Sequence, residues 1–208
     1  MIKNIENHKV KCGDIMNGID DLMSGETADF IYSDPPWGQG NLKYWQTMNF
    51  KMTGTERNEI DYNNFIHVLF SILQKYSKDR VVVEYGQRWN EDIKKLSSQF
   101  GFIHNGSFES LYNAGSKMLP LDIHVLSKKP IDDYLTMDFF YNACLDLKGY
   151  KLVDKIFKIY CPIDAKIILD PMCGMGYTAQ ATVDRGISFR GNELNKKRLD
   201  KTIARLSK

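Results

Sequence analysis

Apolar positions along the chain fall in short runs that alternate between the period of a strand and that of a helix. His8 to Cys12 reads as a first strand ending at Gly13-Asp14, and Ile15 to Met23 has helical character. Ala28-Asp29-Phe30-Ile31-Tyr32-Ser33 is an apolar strand. It stops at Asp34-Pro35-Pro36-Trp37, because proline has no N–H to give to a ladder. Residues 38–60 are polar, carry Gly38, Gly40 and Gly54, and read as irregular. Phe65, Val68, Leu69, Ile72 and Leu73 then put helical spacing on Tyr62 to Tyr76. Val81 to Tyr85 is a short buried strand, followed by a helix through Ile93 and Leu96. Phe102 to Leu111 and Leu121 to Leu126 read as an antiparallel pair around a Gly115-Ser116-Lys117 loop.

The last third repeats the alternation. Asp138 to Tyr160 is helical in pattern, and Ile167-Ile168-Leu169 is a buried strand. A helix covers Tyr177 to Asp184. The strand from Ile187 to Arg190 runs into Gly191-Asn192-Glu193-Leu194, and Asn195 caps a basic terminal helix. Strands alternating with helices predict an α/β fold: a mostly parallel sheet with helices on both faces.

Composition narrows the function classes. The chain has 208 residues, 43% of them apolar, and no repeat or linker divides it, so residues 1–208 read as one domain. A formal charge of +2 means that any surface for a polyanion is a local patch. Cys12, Cys144, Cys161 and Cys173 lie far apart, and His8, His67, His104 and His124 show no ligand spacing, so no metal site is expected. The amino-terminal residues are too polar for a signal peptide and no apolar run approaches membrane-spanning length. The expectation is a cytoplasmic protein. G-x-S-x-G and H-E-x-x-H are absent, which leaves hydrolase and metalloprotease readings without local support.

Two strand ends carry the chemistry. At the first, Gly174-Met175-Gly176-Tyr177-Thr178-Ala179 fits a G-x-G-x-x-G/A turn, with Glu193 ending the next strand. That pattern holds an adenosine-containing cofactor, the acid taking the ribose hydroxyls. Asp170, directly at the strand end, selects among such cofactors. A carboxylate there repels a pyrophosphate but favours the sulfonium and ammonium of S-adenosylmethionine. At the second, Asp34-Pro35-Pro36-Trp37 suits an exocyclic amine, whose lone pair is delocalised into a ring. A carboxylate and a backbone carbonyl accepting its two protons localise that pair, a Pro-Pro turn fixes the carbonyl, and an aromatic stacks on the base. Taken separately, each motif also reads as an ordinary tight turn.

With both motifs in place, the chain resembles the amino-methyltransferases of DNA, in the permuted group whose catalytic motif precedes the cofactor motif. The segments that carry the likeness are Gly13-Asp14, Ala28 to Trp37, Ile168 to Gly176, and Arg190 to Leu194 with the basic helix after it. The resemblance implies a Rossmann-like fold with a seven-stranded sheet and one antiparallel strand. It implies Asp34, Pro35, Pro36 and Trp37 as catalytic residues. It further implies S-adenosylmethionine as cofactor, held by Asp14, Asp170, Pro171, Cys173, Gly174, Gly176, Thr178, Glu193 and Leu194, and DNA as substrate, as in restriction-modification.

Two departures from that family stand out: Met137-Asp138-Phe139-Phe140 replaces a common Lys-Pro, and Tyr177 replaces a small residue after the second glycine. No length remains for a separate target-recognition domain, so residues 38–60 and 109–120 are the candidate base-reading loops. Lys43, Tyr44, Trp45, Lys51 and Arg57 interleave cations with aromatics as a nucleic-acid groove requires. Lys196, Lys197, Arg198, Lys201 and Arg205 are further phosphate candidates, although a charged helix face is more often simply solvated. Asp34 favours adenine N6 over cytosine N4, where serine is commoner. RNA as substrate, a homodimer or specificity partner, and a non-catalytic nucleic-acid-binding subunit of the same fold stay open.

Overall fold

A computed structural model describes residues 1–55, 58–114, 117–131 and 147–207, without the side chains of residues 113, 114 and 117. Its strands are β1 (Ile2–Ile5), β2 (His8–Cys12), β3 (Ala28–Ser33), β4 (Ser77–Gly86), β5 (Ile103–Ala114), β6 (Lys117–Ser127), β7 (Ile167–Asp170) and β8 (Ser188–Glu193). Its helices are α1 (Asp20–Met23), α2 (Gly38–Thr53), α3 (Tyr62–Tyr76), α4 (Asn90–Gln99), α5 (Tyr150–Tyr160), α6 (Tyr177–Val183) and α7 (Lys196–Leu206). The strands form one sheet in the order β1-β2-β8-β7-β3-β4-β6-β5.

The resemblance implies seven strands with one reversed; the described sheet has eight, and both β1 and β6 run against the rest. The additional strand, β1, is a short partly exposed edge paired to β2 through Ile5↔His8. Its sequence Ile-Lys-Asn-Ile is too short and polar to announce a strand, and the hairpin partner creates it. The other five neighbours, β2, β8, β7, β3 and β4, are parallel. Val81, Val82 and Val83 are all fully buried, as expected where helices cover both faces of a sheet. The larger core packs α3, α4 and α5 against it, and a smaller one joins Val10, Cys173, Ala179 and Phe189 to Leu199 and Leu206 of α7.

The topology sets where a ligand can sit. From β3 the chain moves to β4 on one side, and from β7 to β8 on the other. Their junction, paired at Ile31↔Leu169, is therefore a switch point, and the carboxyl ends flanking it open a crevice.

Three sequence expectations need correction. Residues 38–53 form α2, a complete helix, where an irregular loop is expected. It buries only Gly38, Leu42 and Asn49, a stripe too thin for periodicity to detect, and is held by tertiary contacts: Asn195 Nδ2 of the α7 cap donates to Asn49 Oδ1 at 3.1 Å. Described residues of 109–120 belong to the long β5–β6 hairpin, through pairs such as Tyr112↔Leu119. Ile15 to Met23 divides into a 3-10 turn, Ile15–Asn17, and α1, because Gly18 interrupts it. Of the helical pattern expected over Asp138 to Tyr160, the described residues show α5 alone, Tyr150–Tyr160, and residues 138–146 lie outside them; the strand, helix and cap readings elsewhere agree closely, Ala28–Ser33 and Tyr62–Tyr76 to the residue. Met137-Asp138-Phe139-Phe140 and Cys144 lie outside the described residues.

Candidate active site

Each parallel strand ends in or beside a carboxylate on the same edge of the sheet. Across the sheet these are Asp14 after β2, Glu193 on β8, Asp170 on β7, Asp34 after β3 and Glu84 on β4. All five line one cleft of about 910 Å³, with α2 as a wall through Tyr44, Trp45, Asn49 and Met52. The hairpin closes another side through Leu111, Tyr112, Leu119 and Leu121. A more open, polar depression of about 870 Å³ adjoins it, sharing Asp14 and Ile60 and adding Asn58, Glu59 and Asp61.

At the catalytic candidate, β3 ends and the proline turn leaves Asp34 facing the cleft and exposed to it. The Asp34 carboxylate has no hydrogen-bond partner among the described residues, so both oxygens are free to accept. Withdrawal from bulk water pushes its pKa up to about 7, with the Arg198 charge pulling the other way. The turn itself is locked. Tyr62 Oη donates to the Pro36 carbonyl at 3.1 Å, and the Trp37 N–H donates to Asn41 Oδ1 at 3.0 Å. The Pro35 carbonyl has no donor among the described residues, which leaves it available to a ligand. Trp37 is 9% exposed. Its ring meets Tyr112 edge-on at 5.4 Å and lies so close over Gly86 that a Cβ there would come within 3.0 Å of it.

The cofactor candidates divide. Asp170, Cys173, Gly174, Thr178, Glu193, Leu194 and Asp14 line the cleft; Pro171 and Gly176 do not. Asp170 accepts from the Met172 N–H at 3.1 Å. Glu193 accepts from the N–H groups of Gly174 (2.8 Å) and Asn195 (2.7 Å), so it shapes the glycine loop while facing the cleft. Asp14 caps the 3-10 turn by accepting from the Met16 N–H at 3.0 Å.

Gly176 acts through packing against α7. Its φ is +78°, and a Cβ there would stand 2.7 Å from the Thr202 Cα. Gly176→Ala should therefore destabilise the fold by at least about 2 kcal/mol, through left-handed strain plus displacement of α7. Chemical denaturation checks this: an unchanged midpoint would place the glycine requirement elsewhere.

Sequence reading missed three contributors. Glu84 is buried and receives the Tyr32 hydroxyl, and burial with repulsion from Asp170 pushes its pKa to about 8. A carboxylate closing the Val81-Val82-Val83 run was the available signal. Asn192 donates to the carbonyls of Gly13 and Pro171, both at 3.2 Å, and ties two loops of the cleft together. Tyr62 gave no signal beyond a place on an amphipathic helix. Of the nucleic-acid candidates, Tyr44 and Trp45 line the cleft, whereas Lys43 is outside it and paired to Glu59 at 2.5 Å. Lys51 is exposed outside it, and Arg57 lies outside the described residues.

The carboxylates repel one another. Desolvation dominates in raising Asp170 to about 7, with Asp34 and Glu193 adding to it, and Glu193 is itself raised by burial. A cationic ligand relieves this strain, and the donor set fits one with a positively charged centre and hydroxyls to donate.

Glu84 gives a direct check. In the unfolded chain it ionises near its ordinary value of 4.5, and in the folded chain near 8. Below the lower value it costs nothing; between the two, stability falls as pH rises, and the full penalty applies above 8. Glu84→Gln keeps an acceptor for Tyr32 and removes the charge. Above pH 8 the variant should be more stable than the parent by about 2–4 kcal/mol, with the difference vanishing near pH 4. Equal melting temperatures at both pH values would refute the assignment.

Among the described residues no cluster of His, Cys, Asp and Glu is arranged to hold a metal ion, and no helix is long and apolar enough to cross a membrane. No protein-family model and no curated protein matches the chain. Solved structures do match in fold. M1.HpyAVI in complex with SAM superposes with a TM-score of 0.67 at 16% identity, over 96% of this chain and 98% of that one. TTHA0409 from Thermus thermophilus, complexed with S-adenosyl-L-methionine, gives 0.62 at 17% identity, over 96% and 93%. The cytosine-N4-specific PvuII DNA methyltransferase gives 0.66 at 12% identity, over 97% and 87%. At these identities the likeness is one of fold.

Proposed function

We propose that the chain is a DNA amino-methyltransferase that transfers the methyl group of S-adenosylmethionine to the exocyclic N6 of adenine, with residues 1–208 acting as one catalytic domain. The observation that carries this reading is the pairing, in one cleft at the switch point, of a free carboxylate after β3 with buried carboxylates on β7 and β8. A cationic cofactor satisfies the second group and an amine satisfies the first. Solved structures of the same fold with bound S-adenosylmethionine support the cofactor.

Asp170, Glu193, Asp14 and the backbone around Gly174 would hold the cofactor, which supplies an electrophilic methyl group. The chain's own residues prepare the amine. Asp34 accepts one N–H and the Pro35 carbonyl the other, which draws the nitrogen lone pair out of conjugation. Tyr62 keeps the Pro36 carbonyl engaged, so the turn presents a single acceptor geometry. Trp37, wedged between Gly86 and Tyr112, offers an apolar wall to the base. Asp34 takes up the proton that the amine must lose, and its raised pKa matches that task at neutral pH.

Cytosine N4 is the second reading, because a cytosine-N4-specific enzyme shares the fold. Asp34, where serine is commoner in cytosine enzymes, favours adenine. The test is transfer of tritiated methyl from S-adenosylmethionine to DNA, followed by nucleoside chromatography. N6-methyldeoxyadenosine is expected. N4-methyldeoxycytidine selects the second reading, and label in RNA or protein alone, or in nothing, overturns the proposal.

A further inference from the structure

Among the described residues, two cations line the cleft, Lys148 and Arg198. Lys148 leans on the Met118 sulfur at 3.5 Å, while Arg198 projects from the first turn of α7 and is only partly exposed. Its guanidinium lies 4.1 Å from the centre of the Trp45 ring on α2. That stacking fixes the plane of the fork at little further entropic cost. Among the described residues the Arg198 side chain finds no hydrogen-bond acceptor and no ion-pair partner, so its five donors are left for a ligand. Two other cations of the same helix are engaged, Arg205 donating to the Met175 carbonyl at 2.9 Å and Lys196 pairing with Asp200 at 3.1 Å, while Lys197 and Lys201 are exposed outside the cleft.

What Arg198 serves follows from its surroundings. Its charge is felt by Asp34, Glu193 and Tyr112, so it stands where the substrate must pass to reach Asp34. A planar fork with free donors matches an anion with two coplanar oxygens. A base whose amine sits at Asp34 trails its sugar and phosphate towards the mouth, where Trp45 and Tyr44 stand.

Resting on the methyltransferase reading, we infer that Arg198, held flat on Trp45, is a substrate-binding residue that grips a phosphate flanking the target base through its guanidinium fork. The contact holds the extruded nucleotide in the cleft. Because the chain is nearly neutral and Lys43 is paired, this grip accounts for a large part of a weak salt dependence.

A double cycle tests it. Wild type, Arg198→Ala and Arg198→Lys are assayed on an oligonucleotide carrying a mapped methylation site. A second oligonucleotide has the phosphates flanking the target base replaced by neutral methylphosphonates. Arg198→Ala should raise the KM for the first oligonucleotide by about tenfold or more, with S-adenosylmethionine affinity unchanged by calorimetry. It should also lower the slope of log KM against log salt by about one. Arg198→Lys, which keeps charge without the fork, should fall between. The methylphosphonate should cost the wild type a similar factor and the alanine variant almost nothing further. Additive losses, or lost cofactor affinity with an unchanged KM for DNA, would overturn the inference while leaving the methyltransferase reading intact. A wild type that methylates no nucleic acid at all removes both.

Discussion

Asp34→Ala should lower methyl transfer to DNA by at least about 10²-fold, the scale for removing one preorganised polar group from a reacting centre. Cofactor affinity should stay within a few-fold of the parent, because the carboxylates of β7 and β8 remain. The effect is large because nothing nearby substitutes for Asp34: its oxygens have no partner among the described residues, and Glu84 is already engaged by Tyr32. The turn that carries it is fixed independently by Tyr62 and Asn41, so removing the carboxylate need not disturb the backbone. Single-turnover transfer with saturating cofactor, alongside calorimetric binding, separates the two quantities. Wild-type turnover in the variant would remove Asp34 from the reaction. With Asp34 present, the rate should rise with pH through about 7, since only the ionised form accepts both the hydrogen bond and the proton.

Asp170→Asn should weaken S-adenosylmethionine binding by about 10- to 100-fold, the equivalent of losing a hydrogen-bonded charge partner worth about 1.5–3 kcal/mol. It should also change how binding responds to pH. In the parent, Asp170 holds a proton up to about 7, and a cationic cofactor binds the ionised form, so affinity should increase as pH rises through that value. In the variant that rise should shrink, leaving the part contributed by Glu193, which is also raised by burial. Glu193 is the less informative position to change, because its carboxylate accepts from Gly174 and Asn195 and its loss would also loosen the loop. Titration calorimetry at three pH values measures both effects. Equal affinity and an equal pH profile in parent and variant would mean that Asp170 does not face the cofactor.

Much of this molecule is legible without coordinates. The alternation of periods determines the α/β class. Proline at 35 and 36 marks where β3 must end, and the Asp-Pro-x-x-Gly-x-Gly run with Glu193 identifies a turn suited to a cationic adenosine ligand. These are local facts: backbone donors, glycine conformations and the spacing of apolar residues act over a few positions and leave a readable trace. Only the tertiary structure brings Asp34 beside Asp170, because residues 136 positions apart meet through the strand order at the switch point. The same long-range pairing explains what sequence reading misassigned. Helix α2 has hardly any apolar face of its own and depends on Asn195 and Arg198 of α7. Strand β1 exists because β2 offers an edge, and the hairpin extends through residues 109–114 because β6 lies opposite them. Gly176 looks like a cofactor glycine by motif, yet its constraint comes from Thr202, a contact that no local pattern encodes. Burial likewise sets the charge state of Glu84, which as a sequence letter is an ordinary glutamate: how strongly a carboxylate holds its proton depends on the water and charges around it, and those are fixed only when the chain is folded.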